Sequence, residues 1–138
     1  MRLISRIPLL LIILAIFNTV IIRDPNALKP EAVQIFSWSM PSGGIWHATK
    51  GDFVVIAGIF LLFLEILKST KVNTMGTILE HILSLFVFVA FLVEFIVWPA
   101  ACNSTCVVLM LICLLDVLGG FAISFSSARR DLNLGGLH

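Results

Sequence analysis

The stretch Thr105–Ser126, TCVVLMLICLLDVLGGFAISFS, decides the reading of this chain: 22 residues carry a single charged side chain, Asp116. A bilayer's hydrocarbon core is roughly 30 Å thick and an α-helix rises about 1.5 Å per residue, so about 20 apolar residues cross it. This segment is long enough. Working outward, Leu3–Ile22, Asp52–Leu67 and Thr77–Trp98 approach or reach the same length. Asp52–Leu67 is short, and is expected to recruit the preceding turn or to sit where the bilayer thins. The composition agrees: 138 residues, 59% hydrophobic and 12% charged, with a mean hydropathy of +1.10, do not supply a water-facing surface. That excludes a soluble enzyme. Nine glycines and five prolines without a period exclude a collagen-like chain, and the long apolar runs exclude a disordered one.

Backbone groups in hydrocarbon have no water to bond, so each segment must be a helix. Short connections then force an up-down-up-down order. The expected fold is an all-α membrane protein, a four-transmembrane-helix bundle forming one domain over residues 1–138. It has an outer loop over 23–51 and an inner tail over 127–138. No small-x-small cleavage site follows the first apolar run, which is therefore read as a retained anchor. Arg2, Arg6, Lys68, Lys71, Arg129 and Arg130 collect on one side, whereas Arg23, Lys29 and Lys50 are spread along the outer loop. By the positive-inside rule both termini are cytoplasmic. Net charge is only +1, which gives no indication of a nucleic-acid partner.

The outer loop changes character after Pro30. Val33–Met40 is rich in β-branched and aromatic residues, Pro41-Ser42-Gly43-Gly44 is a turn signal, and Ile45–Thr49 follows. Two short strands around that turn make a hairpin. Val33, Phe36 and Met40 also fit the spacing of an interfacial amphipathic helix. In either form Trp38, Trp46, His47, Asp52 and Trp98 line the outer interface, the tryptophans at headgroup depth. Asn103 or Ser104 is the expected cap of the fourth helix.

Met40-Pro41-Ser42-Gly43 with Trp46, Gly51-Asp52, Glu65 with Lys68, Leu92-Val93-Glu94-Phe95 and Ser127-Ala128-Arg129-Arg130-Asp131 together resemble a group of small bacterial inner-membrane proteins. The resemblance covers most of the chain from Met40 onward. It implies the bacterial cytoplasmic membrane, with the outer loop periplasmic, and it brings no activity.

Polar groups within the spans are the functional leads, because a charge at the bilayer centre costs about 2.5–3.5 kcal/mol on insertion scales. Asp116 lies at the midpoint of the fourth segment and must be protonated, paired or turned toward a wet cavity; the structural alternative is a neutral acid bonded to a neighbouring helix. Cys106, Cys113, Asp116, Gly120, Ser124 and Ser127 fall on one inward stripe of small residues. Leu109, Leu111, Leu114, Leu115, Leu118 and Phe121 are expected to cover the rest. Asn18 and Thr19 are candidate partners for that stripe. On the third segment Glu80, Ser84, Val87, Phe91 and Glu94 share an interior face. Glu94 is either an outer proton or cation ligand, or a carboxylate reaching up to Lys50, His47 or the hairpin backbone.

At the cytoplasmic end Glu65, Lys68, Glu80, His81, Arg129 and Arg130 form a cluster that relays protons, holds a lipid phosphate, or serves as an ionic collar. His81 is the single histidine within a span, which does not supply the paired axial ligands of a bundle haem. The spacing of Cys102 and Cys106 allows a disulfide, since Cys102 precedes the helix cap. No phosphate loop, zinc pattern or nucleophile elbow is present, so no enzymatic activity, cofactor or metal site is expected. The preferred expectation is an interaction, scaffold or accessory subunit that binds another membrane protein or its own copies in the bilayer. The alternative is a proton-coupled transporter or channel subunit using Asp116 and Glu94.

Overall fold

A computed structural model describes residues 7–69 and 75–135, with side chains at 7–69, 79–126 and Arg129. Leu3–Arg6 of the first expected span, Arg2, Lys71 and His138 lie outside the described residues, as do the side chains of Ser127 and Arg130. Four helices are present: α1 (Leu10–Arg23), α2 (Lys50–Ser69), α3 (Met75–Val97) and α4 (Ser104–Gly135). A two-stranded antiparallel sheet, β1 (Phe36–Ser39) with β2 (Ile45–Ala48), lies between α1 and α2. Two helical stretches, Leu79–Val97 and Ser104–Ser126, are long and apolar enough to cross a membrane.

The bounds differ from expectation at four places, each for a local reason. The first helix starts at Leu10 rather than in the Leu3 region, since Ile7, Pro8 and Leu9 are not helical and a proline is tolerated only before or in the first turn. Thr49 caps α2: its backbone N–H and its Oγ1 both donate to Asp52 Oδ2 at 2.8 Å, and the Asp52 N–H donates back to Thr49 Oγ1 at 3.3 Å. This reciprocal capping box starts the helix at Lys50, two residues before the expected Asp52, and at the other end the helix runs on through Lys68 to Ser69. Trp98 leaves the α3 helix with extended backbone because Pro99 follows it, and Pro99–Ala101 forms a single 3-10 turn. Asn103 then caps α4, its Oδ1 accepting the Cys106 N–H at 2.9 Å. At the far end α4 does not stop near Ser126; it continues to Gly135, so most of the expected tail is helical. Nothing in Ser127–Leu134 breaks a helix, and Gly135-Gly136 is the first stop signal after it.

The hairpin is formed, and the amphipathic-helix alternative for Val33–Met40 is not. Trp38 pairs with Trp46 and Phe36 with Ala48. The Gly43 N–H donates to the Met40 carbonyl at 2.9 Å, and Gly43 has φ +83°, the left-handed region that glycine tolerates and other residues resist. A turn through Pro41-Ser42 with glycine after it is one of the standard hairpin connections. Phe36 stacks edge-on against Trp46 at 5.7 Å and leans on Phe53 of α2 at 6.0 Å, which ties the sheet to the helix end.

The helices alternate in direction. α1 packs beside α2 and α3, and α4 beside the same two. The core between them is apolar in its middle: Ile13, Phe17, Phe91, Leu109 and Cys113 are fully buried, with Phe17 and Phe91 edge-to-face at 5.4 Å. Leu109 corrects the expectation that it covers the outer face. It lies three or four residues from Thr105, Cys106, Ile112 and Cys113, all buried, and so belongs to their stripe. Close approach depends on glycine at three points. A Cβ at Gly51 would sit 2.6 Å from Thr105 Oγ1 at the start of α4. A Cβ at Gly58 would sit 2.8 Å from Leu109 Cδ2 and 3.3 Å from Ile112 Cδ1, so α2 and α4 touch there. A Cβ at Gly120 would collide with the ring of His81.

Gly58→Val should therefore push α2 from α4 and destabilise the bundle by about 1–3 kcal/mol. Unfolding of the purified protein in mixed micelles, compared with Gly119→Ala, where the added Cβ meets open space, measures this; equal stability of the two variants would contradict the packing.

Candidate functional site

Polar side chains in the bundle fall at two levels, separated by the apolar middle. The larger group gathers where the N-terminus of α1, the C-terminus of α2 and the first turns of α3 meet. Glu65 is 4% exposed, yet its Oε2 accepts the Leu9 N–H at 2.6 Å. Leu9 immediately precedes α1, whose first amides have no partner within the helix, so a carboxylate there satisfies one orphan donor and complements the positive end of the helix. Lys68, one turn on, donates to the Ile7 carbonyl at 3.1 Å and lies 3.5 Å from Glu65 Oε1 and 3.7 Å from Glu80 Oε2. One ammonium thus links α1, α2 and α3.

Asp116 belongs to this level. It is 3% exposed, Ser84 stands beside its carboxylate, and His81, Lys68, Glu65 and Cys113 are titratable groups within its electrostatic reach. The antiparallel packing explains why: His81 sits in the notch at Gly120, one turn beyond Asp116, and Ser84, one turn beyond His81, comes opposite Asp116. The His81 ring also lies 6.1 Å from that of Phe121. Ser69 Oγ, His81 Nε2, Ser84 Oγ and Asp116 Oδ2 are buried without a hydrogen-bond partner.

The second level contains Glu94. Its Oε1 accepts Asn18 Nδ2 of α1 at 2.8 Å, and Asn18 also donates to the Leu14 carbonyl at 3.1 Å. This replaces the expected reach toward Lys50, His47 or the hairpin: Lys50 instead faces Asp24 at 3.8 Å on the surface. Asn18 is therefore the partner of Glu94 rather than of Asp116. Thr19 bonds the Ala15 carbonyl of its own helix at 2.7 Å. Ser84 and Glu94 are ten residues apart, about 15 Å along the helix, with Val87 and Phe91 buried between them.

The remaining expected site residues are placed as follows. Arg129 is exposed, and no hydrogen bond or ion pair joins it to the polar level among the described residues. Trp38 and Trp46 are exposed on the hairpin, His47 is exposed, and Trp98 is half-buried against the core. Cys102, Cys106 and Cys113 are free thiols; the disulfide that the spacing allows is not formed, and the buried Cys106 Sγ lies 3.8 Å from the Phe91 carbonyl instead. No group of three or more His, Cys, Asp or Glu converges to hold a metal among the described residues.

Sequence reasoning missed the Leu9 and Ile7 backbone groups as partners of Glu65 and Lys68, and placed Asp116 apart from the cluster it joins. No family model, no curated protein and no solved structure matches the chain.

Lys68→Met leaves Glu65 and Glu80 without their cation and should cost about 3 kcal/mol. The loss should appear first as faster hydrogen exchange at the start of α1. Exchange there at the wild-type rate would show that the lysine does not hold that helix.

Proposed function

We propose that the chain is a small four-span protein of the bacterial cytoplasmic membrane, with both termini inside, that acts as an interaction or accessory subunit. Its outer hairpin and the adjoining helix flank engage a second membrane protein or further copies of the chain. The distribution of polarity supports the membrane reading. Large apolar residues face outward along every helix, among them Ile12, Phe60, Phe86, Val93, Leu115 and Phe125, while Glu65, Glu80, His81, Ser84 and Asp116 are buried. A water-soluble fold has the opposite arrangement.

α1 is the shorter apolar helix, with 14 residues, whereas α2 has 20 but carries Lys50, Asp52, Glu65 and Lys68, and burial explains how α2 serves. Glu65 is turned into the bundle, so the lipid-facing stripe of α2 continues from Phe53 through Ile59 and Phe63 to Leu67. Local thinning accommodates what is left of the mismatch.

The observation that carries the interaction reading is the exposure of the hairpin. Trp38 and Ile45 are 63% and 59% exposed, and Val33 and Ile35, in the segment leading into β1, are 82% and 52% exposed. A two-stranded sheet is marginal by itself. Beneath it a groove of about 480 Å³ between α2 and α4 is lined by Trp46, Thr49, Asp52, Ile56, Thr105 and Val108. Hairpin and groove together make one amphipathic surface at the outer membrane level, of the kind that tryptophan-centred interfaces use. The proton-coupled carrier reading is weaker, because Asp116 and Glu94, its two acids, are separated by the packed Val87 and Phe91 layer.

A photo-crosslinking residue in place of Trp38, activated in native membranes, should give one stoichiometric adduct, with a partner or with a second copy. Combined Trp38→Ser and Ile45→Ser should lower association about tenfold without unfolding the helices. A chain that stays monomeric and uncrosslinked would overturn the reading.

A further inference from the structure

The groove between α2 and α4, under the hairpin, has a polar mouth whose bonding groups the chain itself leaves unused. Ser104 and Thr105 are the first two residues of α4, and both line it. Asn103 accepts the Cys106 N–H with its side chain and the Val107 N–H with its carbonyl, so the Ser104 and Thr105 N–H groups have no acceptor among the described residues. Free amides at the start of a long helix suit an anion. The Thr105 side chain is a second and separate sign. Thr105 is 7% exposed, and its Oγ1 is turned across to Gly51 on the α2 wall, where a Cβ would stand 2.6 Å from it. That hydroxyl makes no hydrogen bond among the described residues, which is uncommon for a buried polar group.

Two charges at the mouth are uncommitted as well. Lys29 lines the groove and enters no ion pair among the described residues. Asp52 gives its Oδ2 to the Thr49 cap, while its Oδ1 accepts no hydrogen bond among the described residues. One turn further into each helix the lining becomes apolar, with Ile56 on α2 and Val108 on α4. Ile56 is 54% exposed and continues into the outward-facing Ile59 and Phe63. One space of about 480 Å³ thus combines a cation, an anion and free amides at the helix starts with hydrocarbon surface below them.

We propose that this groove binds one outer-leaflet phospholipid with a primary-amine headgroup. The phosphate oxygens accept from the Ser104 and Thr105 N–H groups and the Thr105 hydroxyl, with Lys29 as their counter-charge. The lipid ammonium donates to Asp52 Oδ1, and an acyl chain follows Ile56 and Val108 into the bilayer. A free phosphate leaves the apolar wall and Asp52 unmatched. A phospholipid without the amine brings its negative charge near Asp52 with nothing to offset it. The site rests on the membrane reading above, because α2 and α4 must both begin at the outer surface, the level at which Trp46 lines the groove. It adds to that reading, since a lipid held beneath the hairpin leaves Trp38 and Ile45 exposed for a protein partner.

The test titrates the full-length chain in detergent micelles with phosphatidylethanolamine or phosphatidylglycerol of identical acyl chains and counts bound lipid by native mass spectrometry. Flotation with vesicles of the same two lipids reports insertion separately. The wild-type chain should retain one phosphatidylethanolamine at about tenfold lower concentration than phosphatidylglycerol. Asp52→Asn keeps an acceptor for the α2 cap and should abolish that preference. Ser104→Pro removes one amide at a helix position that tolerates proline, and should weaken retention of both lipids about fivefold. Lys29→Gln, in a loop, should weaken both by about the same factor, and it carries the test if Asp52→Asn does not fold. Equal retention of the two lipids by the wild-type chain overturns the proposal, as does an unchanged preference in Asp52→Asn or unchanged retention in Lys29→Gln. In a chain that floats with the vesicles, those results remove this site alone; a chain that does not float removes the membrane reading and the site together.

Discussion

One lysine with two glutamates at one end of an apolar bundle is the interaction on which this structure depends. Lys68 reaches the Ile7 carbonyl, Glu65 and Glu80, and Glu65 accepts the Leu9 N–H, so three helices are joined through contacts between residues distant in sequence. The Lys68 side chain is 20% exposed and those of Glu65 and Glu80 are 5% and 10% exposed. A pair this dry contributes little net stability against an apolar replacement, but it strongly penalises arrangements that separate its members. It therefore fixes which helix lies beside which, and at what height.

That height determines the rest. With α1 pinned at Leu9, Phe17 comes level with Phe91, and Asn18 comes level with Glu94. With α3 set by Glu80, His81 meets Gly120, and Asp116 falls opposite Ser84. The glycines are what permit this: Gly58 lets α2 close on Leu109, and Gly120 admits an aromatic ring where any side chain would clash. Polar groups consequently occupy two separate levels, one rich in ionisable groups, the other a single Asn18–Glu94 contact, with phenylalanine between them.

Much of this was legible in the residues. The apolar runs placed all four helices, and Pro41-Ser42-Gly43 between β-branched segments marked the hairpin whose turn requires a positive φ. The inward stripes of α3 and α4 followed from helical spacing, and Glu80, Ser84, Val87 and Phe91 are indeed buried. What periodicity could not supply was the relation between helices. Counting back from Ser126 puts Asp116 ten residues deep, much as Ser84 lies nine residues into α3; that count would have joined Asp116 to the His81 cluster, whereas treating the span midpoint as a common level set it apart. The backbone partners of Glu65 and Lys68 had no side-chain signal, since Ile7 and Leu9 contribute only a carbonyl and an amide. Leu109 was misassigned because leucine is equally at home against lipid and in a core.

The central claim is that all four helices cross the membrane around an internal polar level, and thiol accessibility in intact cells tests it most directly. In a Cys102→Ser background, where Cys106 and Cys113 are buried, one cysteine introduced at Ser42 or at Arg129 is exposed to a membrane-impermeant reagent. Four crossings place three helices between these positions and predict labelling of Ser42→Cys from outside, with Arg129→Cys protected until the membrane is opened. If only α3 and α4 cross, both positions lie on one side, and equal labelling of the two would contradict the account.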